Sequence, residues 1–201
     1  MAVSAGASAI GLVSSMPSGP GVIDDQLISE IAASIPPPVA TFLLTSLQDA
    51  DAIADQHRTC RTSTIQLVDR LDHAELHKLR AQLTGIKLVQ VIHVNGVESI
   101  EEALSVSHLV DALLLDSGNQ NLDIKELGGT ERIHDWQLSR RINDAVDLPL
   151  ILAGGLNTAN VAEAVRIVRP FGVDLCSGVR REGKLDLVKL HDFINVATNR
   201  K

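Results

Sequence analysis

Apolar and polar positions alternate along this chain in two regular ways, and the two take turns. Short aliphatic runs of strand length fall at Ala9 to Val13, Val39 to Leu44, Thr64 to Val68, Lys87 to Val94, Leu113 to Leu115, Leu148 to Ala153 and Gly172 to Cys176. Between them lie segments of helical period. One opens at Asp24 or Asp25 and turns Leu27, Ile28, Ile31 and Ala32 to one side, and Pro36-Pro37-Pro38 stops it. Others run from Leu47 to about Gln56, Ala74 to Leu83, Glu98 to about Ser107, about Asp135 to Ala145, about Ala159 to Val168, and Leu185 to about Ala197. The strand and helix patterns alternate without a hairpin signal, which predicts a parallel sheet with crossover helices, an α/β fold.

Seven strands are predicted, and a TIM (β/α)8-type barrel needs eight. The chain reads as such a barrel lacking the first strand, with Met1 to Gly6 as the tail of a first helix. A single barrel domain, 1–201, is expected from the length. An incomplete barrel leaves two strand edges unpaired, so either a homo-oligomer or a marginally stable chain is expected.

Composition sharpens this picture. With no Tyr, one Trp and three Phe, the core is built from Leu, Ile, Val and Ala, as suits a parallel sheet covered on both faces. The net charge of −7 offers no broad basic field, so no nucleic-acid partner is expected. No apolar run reaches membrane-spanning length and no basic leader precedes one, so neither a membrane partner nor a leader is expected. Cys60 and Cys176 suggest reduced thiols in a cytoplasmic protein rather than a disulfide framework or a metal site.

The chemistry gathers at the ends of the late strands. Gly154-Gly155 breaks the run from Leu148 to Ala153, and Asn157 or Thr158 can cap the helix behind it. Such a turn either approaches an anion closely or simply links strand to helix. Ser177-Gly178-Val179 repeats the arrangement one unit later. Two adjacent turns of this kind are where a barrel commonly holds a substrate phosphate, so a phosphate is the expected occupant, with no cofactor and no metal. Asp116 ends its buried strand where barrel enzymes keep catalytic groups, and it serves either as a general acid or as a loop cap. Asp174 and Cys176, two apart on one strand, would share a face, and Cys176 is either a thiol base or nucleophile or a small buried hydrophobe. His93, at its strand end, is either a further pocket residue or a satisfied strand-end histidine. His73 and His77 have ligand spacing but lack the Glu that a zinc protease pattern needs after the first His, and so read as a solvated face. Arg180-Arg181 either helps to bind an anion or is solvated.

Several segments together resemble the phosphoribosylanthranilate isomerase family. They are Gly128-Gly129-Thr130 with Asp135-Trp136, Leu152-Ala153-Gly154-Gly155-Leu156 with Asn160-Val161, and Gly172-Val173-Asp174 with Ser177-Gly178-Val179, Gly183 and Asp186. Gly6-Ala7, Ile10-Gly11 and Gln66-Leu67 are similar to the family's earlier motifs. The resemblance implies a (β/α)8 barrel and an Amadori aldose-ketose isomerisation in tryptophan biosynthesis, with a phosphorylated sugar, an anthranilate-linked phosphoribosyl aldose, as the small-molecule substrate. It implies that Asp116 is the acid at the ring oxygen, that Gly154, Gly155, Ser177 and Gly178 bind the phosphate, and that Gly129 lines the pocket.

The departures lie at the other end of the substrate. The family's first strand, which carries its Cys base, has no counterpart here. Ser15-Met16-Pro17-Ser18-Gly19-Pro20 stands where the family has Ser-Pro-Arg, its Arg holding the anthranilate carboxylate, and Gln66-Leu67-Val68-Asp69 stands for its Gln-Leu-His-Gly. Glu131 and Arg180 replace a Gly and a Glu. Three readings are therefore open: an isomerase of this family, a different phosphosugar enzyme on the same scaffold, or a paralogue that binds a phosphometabolite without turning it over.

Overall fold

A computed structural model describes residues 1–17, 21–118, 127 and 133–198. Its strands are β1 (Ala9–Val13), β2 (Ala40–Thr45), β3 (Thr64–Leu67), β4 (Lys87–His93), β5 (Ala112–Asp116), β6 (Leu150–Leu152) and β7 (Gly172–Val173). They form one parallel sheet in the order β1 to β7, each pairing with its neighbours in sequence, and β1 and β7 stand at its two edges. Helices α1 (Asp25–Ser34), α2 (Ala50–Cys60), α3 (His73–Gln82), α4 (Glu98–Ser107), α5 (Trp136–Ala145), α6 (Val161–Val168) and α7 (Leu187–Ala197) alternate with the strands. The seven-stranded α/β sheet is thus a curled barrel of the (β/α)8 type. Val3–Ala5 is a short 3-10 turn that ends on Gly6 in the left-handed region, φ 105°.

Alternation along each strand separates two apolar layers. Val89 and Val91 of β4, Ala112 and Leu114 of β5, and Ala153 beyond β6 meet inside the curl, with Phe42, Leu44 and Met16 packed against them. Their neighbours Leu88, Ile92, Leu113, Leu115, Leu150 and Leu152 face outward into the layer under the helices. This parity has a consequence for chemistry. Asp116 continues the inward series Ala112, Leu114, and His93 continues Val89, Val91, so both side chains leave the sheet at the mouth of the barrel. Paired directly across β4 and β5, they stand at the same level.

Four helix starts are capped by aspartates. Asp24, Asp49, Asp135 and Asp186 each accept a backbone N–H of the first turn of the helix they precede. Arg61 and Arg169 close α2 and α6 in the left-handed region.

Two elements differ from the sequence pattern. β7 has only two residues, so Asp174 and Cys176 do not share a strand face as expected. The Asp174 N–H still bonds the Leu152 carbonyl at 2.8 Å, but Cys176 lies beyond the ladder and is exposed. A small antiparallel hairpin, β8 (Arg180–Arg181) with β9 (Lys184–Leu185), follows, although no hairpin was expected. Its turn is Glu182-Gly183, both at positive φ, 52° and 75°, a conformation that a Glu-Gly pair does not advertise as an Asn-Gly pair would.

Candidate active site at the barrel mouth

The C-terminal ends of β5, β6 and β7 bring the acidic and glycine-rich segments together. Asp116 Oδ1 accepts the Ser117 N–H at 2.7 Å and lies 3.5 Å from the Ser117 hydroxyl. The carboxylate faces the turn after β6. A Cβ placed on Gly154 would stand 3.1 Å from Asp116 Oδ1, 3.0 Å from Ser117 Oγ and 3.1 Å from His134 Nδ1. Gly154 also has φ +81°, so both its conformation and the crowding over its α-carbon exclude a side chain. Glycine here lets three polar groups converge on one point of the mouth.

Gly155, φ 62°, continues the turn. Its carbonyl is held by Asn160 Nδ2 at 2.9 Å, and Asn160 Oδ1 accepts the Asn157 N–H at 2.8 Å. Asn157 accepts the Ala159 N–H at 2.9 Å, while α6 itself starts later, at Val161, behind Asn160. The two asparagines therefore brace the glycine turn, and neither Asn157 nor Thr158 caps the helix as expected.

The second turn leans on the first. A Cβ on Gly178 would stand 2.2 Å from the Leu156 carbonyl oxygen and 3.4 Å from Asn157 Cα. Only the missing side chain allows Ser177–Val179, a 3-10 turn, to lie against Leu156 and Asn157. Gly154, Gly155, Ser177 and Gly178 thus form one continuous wall, as their sequence motifs suggest.

Asp174 belongs to the same mouth. Its side chain is exposed to solvent at the rim. Desolvation, and after it the Asp116 carboxylate, push its carboxyl from an ordinary 3.8 up to about 6. Solvent access tempers the first cause, and the neighbouring charge persists. The sign of the linkage follows. Between about pH 4 and pH 6 the unfolded chain gives up the Asp174 proton while the folded chain keeps it, so stability falls as pH rises through this window. Asp174→Asn is expected to raise Tm more at pH 7 than at pH 4, measured by thermal melts at the two pH values. An equal shift at both would remove the charge conflict from the account.

The other candidates separate. His93 is buried, and its Nε2 donates to the Val68 carbonyl at 3.0 Å, which fits a histidine engaged at its strand end. Arg180 turns its guanidinium to the Gly183 carbonyl at 2.7 Å, and Arg181 pairs with Asp186 at 3.1 Å, so both serve the hairpin. His73 packs edge-on against His108, and no group of metal-ligating side chains occurs among the described residues. Gly129 and its neighbours Gly128 and Thr130 lie outside the described residues. A cleft of about 440 Å³ beside the mouth is lined by Arg70, His93, Asn95, Glu98, Glu101 and Glu102, among others. Its three glutamates disfavour an anion such as phosphate.

The sequence reading missed His134. It precedes the Asp135 cap of α5, the position where an apolar residue often packs onto the fourth helical residue. Here the pair is polar, with His134 Nε2 2.8 Å from Ser139 Oγ. A histidine and a serine at those two places, flanking an obvious Asp cap, were the available signal.

Comparisons with known proteins bear on the family and the fold. The model of the family described as N-(5'phosphoribosyl)anthranilate (PRA) isomerase matches residues 21–196. The chain is 35% identical over 201 residues to N-(5'-phosphoribosyl)anthranilate isomerase 2 of Methanosarcina mazei, covering 99% of this chain and 88% of that one. The crystal structure of phosphoribosyl anthranilate isomerase from Thermotoga maritima is 27% identical with a TM-score of 0.83, covering 98% of this chain and 91% of that one. A phosphoribosyl anthranilate isomerase in complex with reduced 1-(o-carboxyphenylamino)-1-deoxyribulose 5-phosphate is 27% identical with a TM-score of 0.80, at the same coverage. Matched by the family's model from residue 21 to 196 and by a relative at 35% identity over nearly its whole length, this chain belongs to the N-(5'-phosphoribosyl)anthranilate isomerase family.

Proposed function

We propose that the chain catalyses the Amadori aldose-ketose isomerisation of N-(5'-phosphoribosyl)anthranilate in tryptophan biosynthesis, with Asp116 as general acid. The observation that carries this reading is the Asp116 carboxylate facing a glycine wall made of two interlocked turns. A phosphate held by the backbone of Gly154, Gly155, Ser177 and Gly178 would fix the sugar so that its ring oxygen meets Asp116. Proton transfer from Asp116 to that oxygen breaks the C1–O bond, while the anilino nitrogen lone pair forms a C1=N iminium. Removal of the C2 proton sends the C–H electrons into a C1=C2 bond and returns the iminium electrons to nitrogen. The enol then passes its hydroxyl proton to the medium and takes one at C1, which yields the ketose.

A base is needed for the C2 step, and Cys176 is the proposed group. It is a free, exposed thiol directly before the second glycine turn, and the thiolate is its active form. Asp174 and His93 are proposed to shape the mouth, and Gly129 to line the pocket. A location in the cytoplasm accompanies the reading, supported by two free cysteines; no described helix is long and apolar enough to cross a membrane. Self-association is proposed for the β1 and β7 edges, and one structural relative, 25% identical, is described as generated monomers of the dimeric isomerase from Thermotoga maritima.

The test is turnover of phosphoribosylanthranilate by the purified chain, followed as loss of substrate fluorescence. Cys176→Ser is expected to lower kcat about 100-fold with KM little changed. An unaltered kcat would move the base elsewhere. A second reading, a different phosphosugar substrate, is favoured by one observation. At the β1 end of the mouth, Met16 packs onto the interior cluster in the segment where the resemblance leads one to expect an arginine for a carboxylate. Binding of a phosphosugar without turnover of phosphoribosylanthranilate would select it.

A further inference from the structure

We propose that His134 binds the substrate directly, its Nδ1 accepting a hydrogen bond from the C3 hydroxyl of the phosphoribosyl group at the face of Gly154. The inference rests on the reading of the chain as a phosphoribosylanthranilate isomerase and adds a sugar contact to it.

The tautomer follows from the contacts. Ser139 Oγ lies 3.3 Å from the Asp135 carbonyl, to which it donates its single hydrogen. Its lone pair is then left for His134 Nε2, 2.8 Å away, so Nε2 carries the ring proton and Nδ1 is a bare acceptor. Burial holds the imidazole below its ordinary value, against the pull of Asp116 and Asp135, so the ring stays neutral and keeps that lone pair. His134 is only 9% exposed, and its Nδ1 has no hydrogen-bond partner among the described residues. A buried acceptor without a donor is costly, and one is retained most readily where a ligand brings the donor.

The geometry brings Nδ1 to the mouth. It lies 3.1 Å from the point where a Gly154 Cβ would stand, with Ser117 Oγ at 3.0 Å and Asp116 Oδ1 at 3.1 Å from the same point. Gly154 and Asp116 are only half-buried, so a ligand can reach this place. A hydroxyl lying against the bare α-carbon of Gly154 meets Nδ1 at hydrogen-bond range. Asp116 Oδ1 already holds the Ser117 N–H, whereas Nδ1 holds nothing.

Sugar connectivity selects the hydroxyl. With the phosphate on the glycine wall and the ring oxygen at Asp116, C4 is the carbon between them, bonded to the ring oxygen and to the phosphate-bearing C5. Its remaining neighbour is C3, so the C3 hydroxyl is the one held nearest to both. The C2 hydroxyl lies one carbon further toward the aglycone and becomes the ketone. The C3 hydroxyl passes unchanged from aldose to ketose, so His134 contributes to binding throughout the reaction, and its loss falls on KM rather than on kcat.

Two ligands and two variants test this. The ligands are reduced 1-(o-carboxyphenylamino)-1-deoxyribulose 5-phosphate and its 3-deoxy counterpart, titrated calorimetrically into the purified chain. The unaltered protein is expected to hold the first about tenfold more tightly. His134→Gln keeps a group that reaches Ser139 and loses the Nδ1 acceptor, so the preference should fall to within about twofold. His134→Asn keeps an acceptor near Nδ1 and should retain most of the preference. In turnover, His134→Gln should raise KM about tenfold, with the loss absent from kcat. Equal weakening of both ligands by His134→Gln, loss of the preference in both variants alike, or tight and equal binding of the two ligands by the unaltered chain would overturn the proposal. Failure of the unaltered chain to bind either ligand would overturn the isomerase reading itself, and this inference with it.

Discussion

Asp116→Asn should lower kcat for phosphoribosylanthranilate by about 10²–10⁴-fold while leaving the affinity for a phosphosugar analogue within about twofold. The amide keeps the shape of the carboxyl and can still accept the Ser117 N–H, so the end of β5 has no reason to move. It cannot deliver a proton to the ring oxygen, and that step precedes every later one. Phosphate contacts are expected from the turns after β6 and β7, which the substitution does not touch. The split between kcat and affinity is therefore the informative result, read from steady-state kinetics and from calorimetric titration with the analogue. Turnover at the original rate would remove Asp116 from the mechanism. A parallel loss of rate and affinity would mean that the carboxylate organises the mouth instead.

Gly178→Ala should do the opposite, damaging binding first. A methyl group there would stand 2.2 Å from the Leu156 carbonyl oxygen, and the obstacle is backbone rather than the end of a flexible side chain. Relief requires the turn at Ser177–Val179 to part from Leu156 and Asn157, which opens the wall between the two glycine turns. Overpacking of this kind costs about 2 kcal/mol, which for a domain of this size lowers Tm by roughly 4–8 °C. The same parting displaces the backbone groups proposed to hold the phosphate, so KM is expected to rise about tenfold or more while Asp116 remains in place. A thermal melt and a KM measurement decide it. A variant with unchanged Tm and KM would show that the two turns are not interlocked in solution.

Much of this site was legible as residue order. Asp116, Gly154-Gly155 and Ser177-Gly178 each follow a short aliphatic run, and in a parallel α/β sheet the C-terminal ends of strands all lie on one side. Strand alternation alone carried Asp116 inward after Ala112 and Leu114. The late strands were harder to delimit. Gly172 to Cys176 has the composition of a five-residue strand, yet only Gly172–Val173 pairs, because the chain turns away after the Asp174 N–H bonds Leu152 and enters the Ser177–Val179 turn. Composition records apolar character, whereas pairing needs a partner strand of matching length, and β6 has three residues.

Sequence by itself determined the alternating α/β order, the seven strands, the aliphatic core, and the family, since each rests on local pattern or on motifs contiguous in the chain. Tertiary structure alone decided which groups meet. His134 is 18 positions from Asp116 and 20 from Gly154 by their numbers, and only the curling of the sheet brings all three to one point. Likewise, nothing in Ser177-Gly178-Val179 says that its glycine must clear the Leu156 carbonyl. Hydrophobic periodicity governs which face of an element is buried, because burial acts on each segment separately. Convergence of polar atoms depends on backbone approach between segments distant in sequence, and that distance is set by packing of the whole barrel.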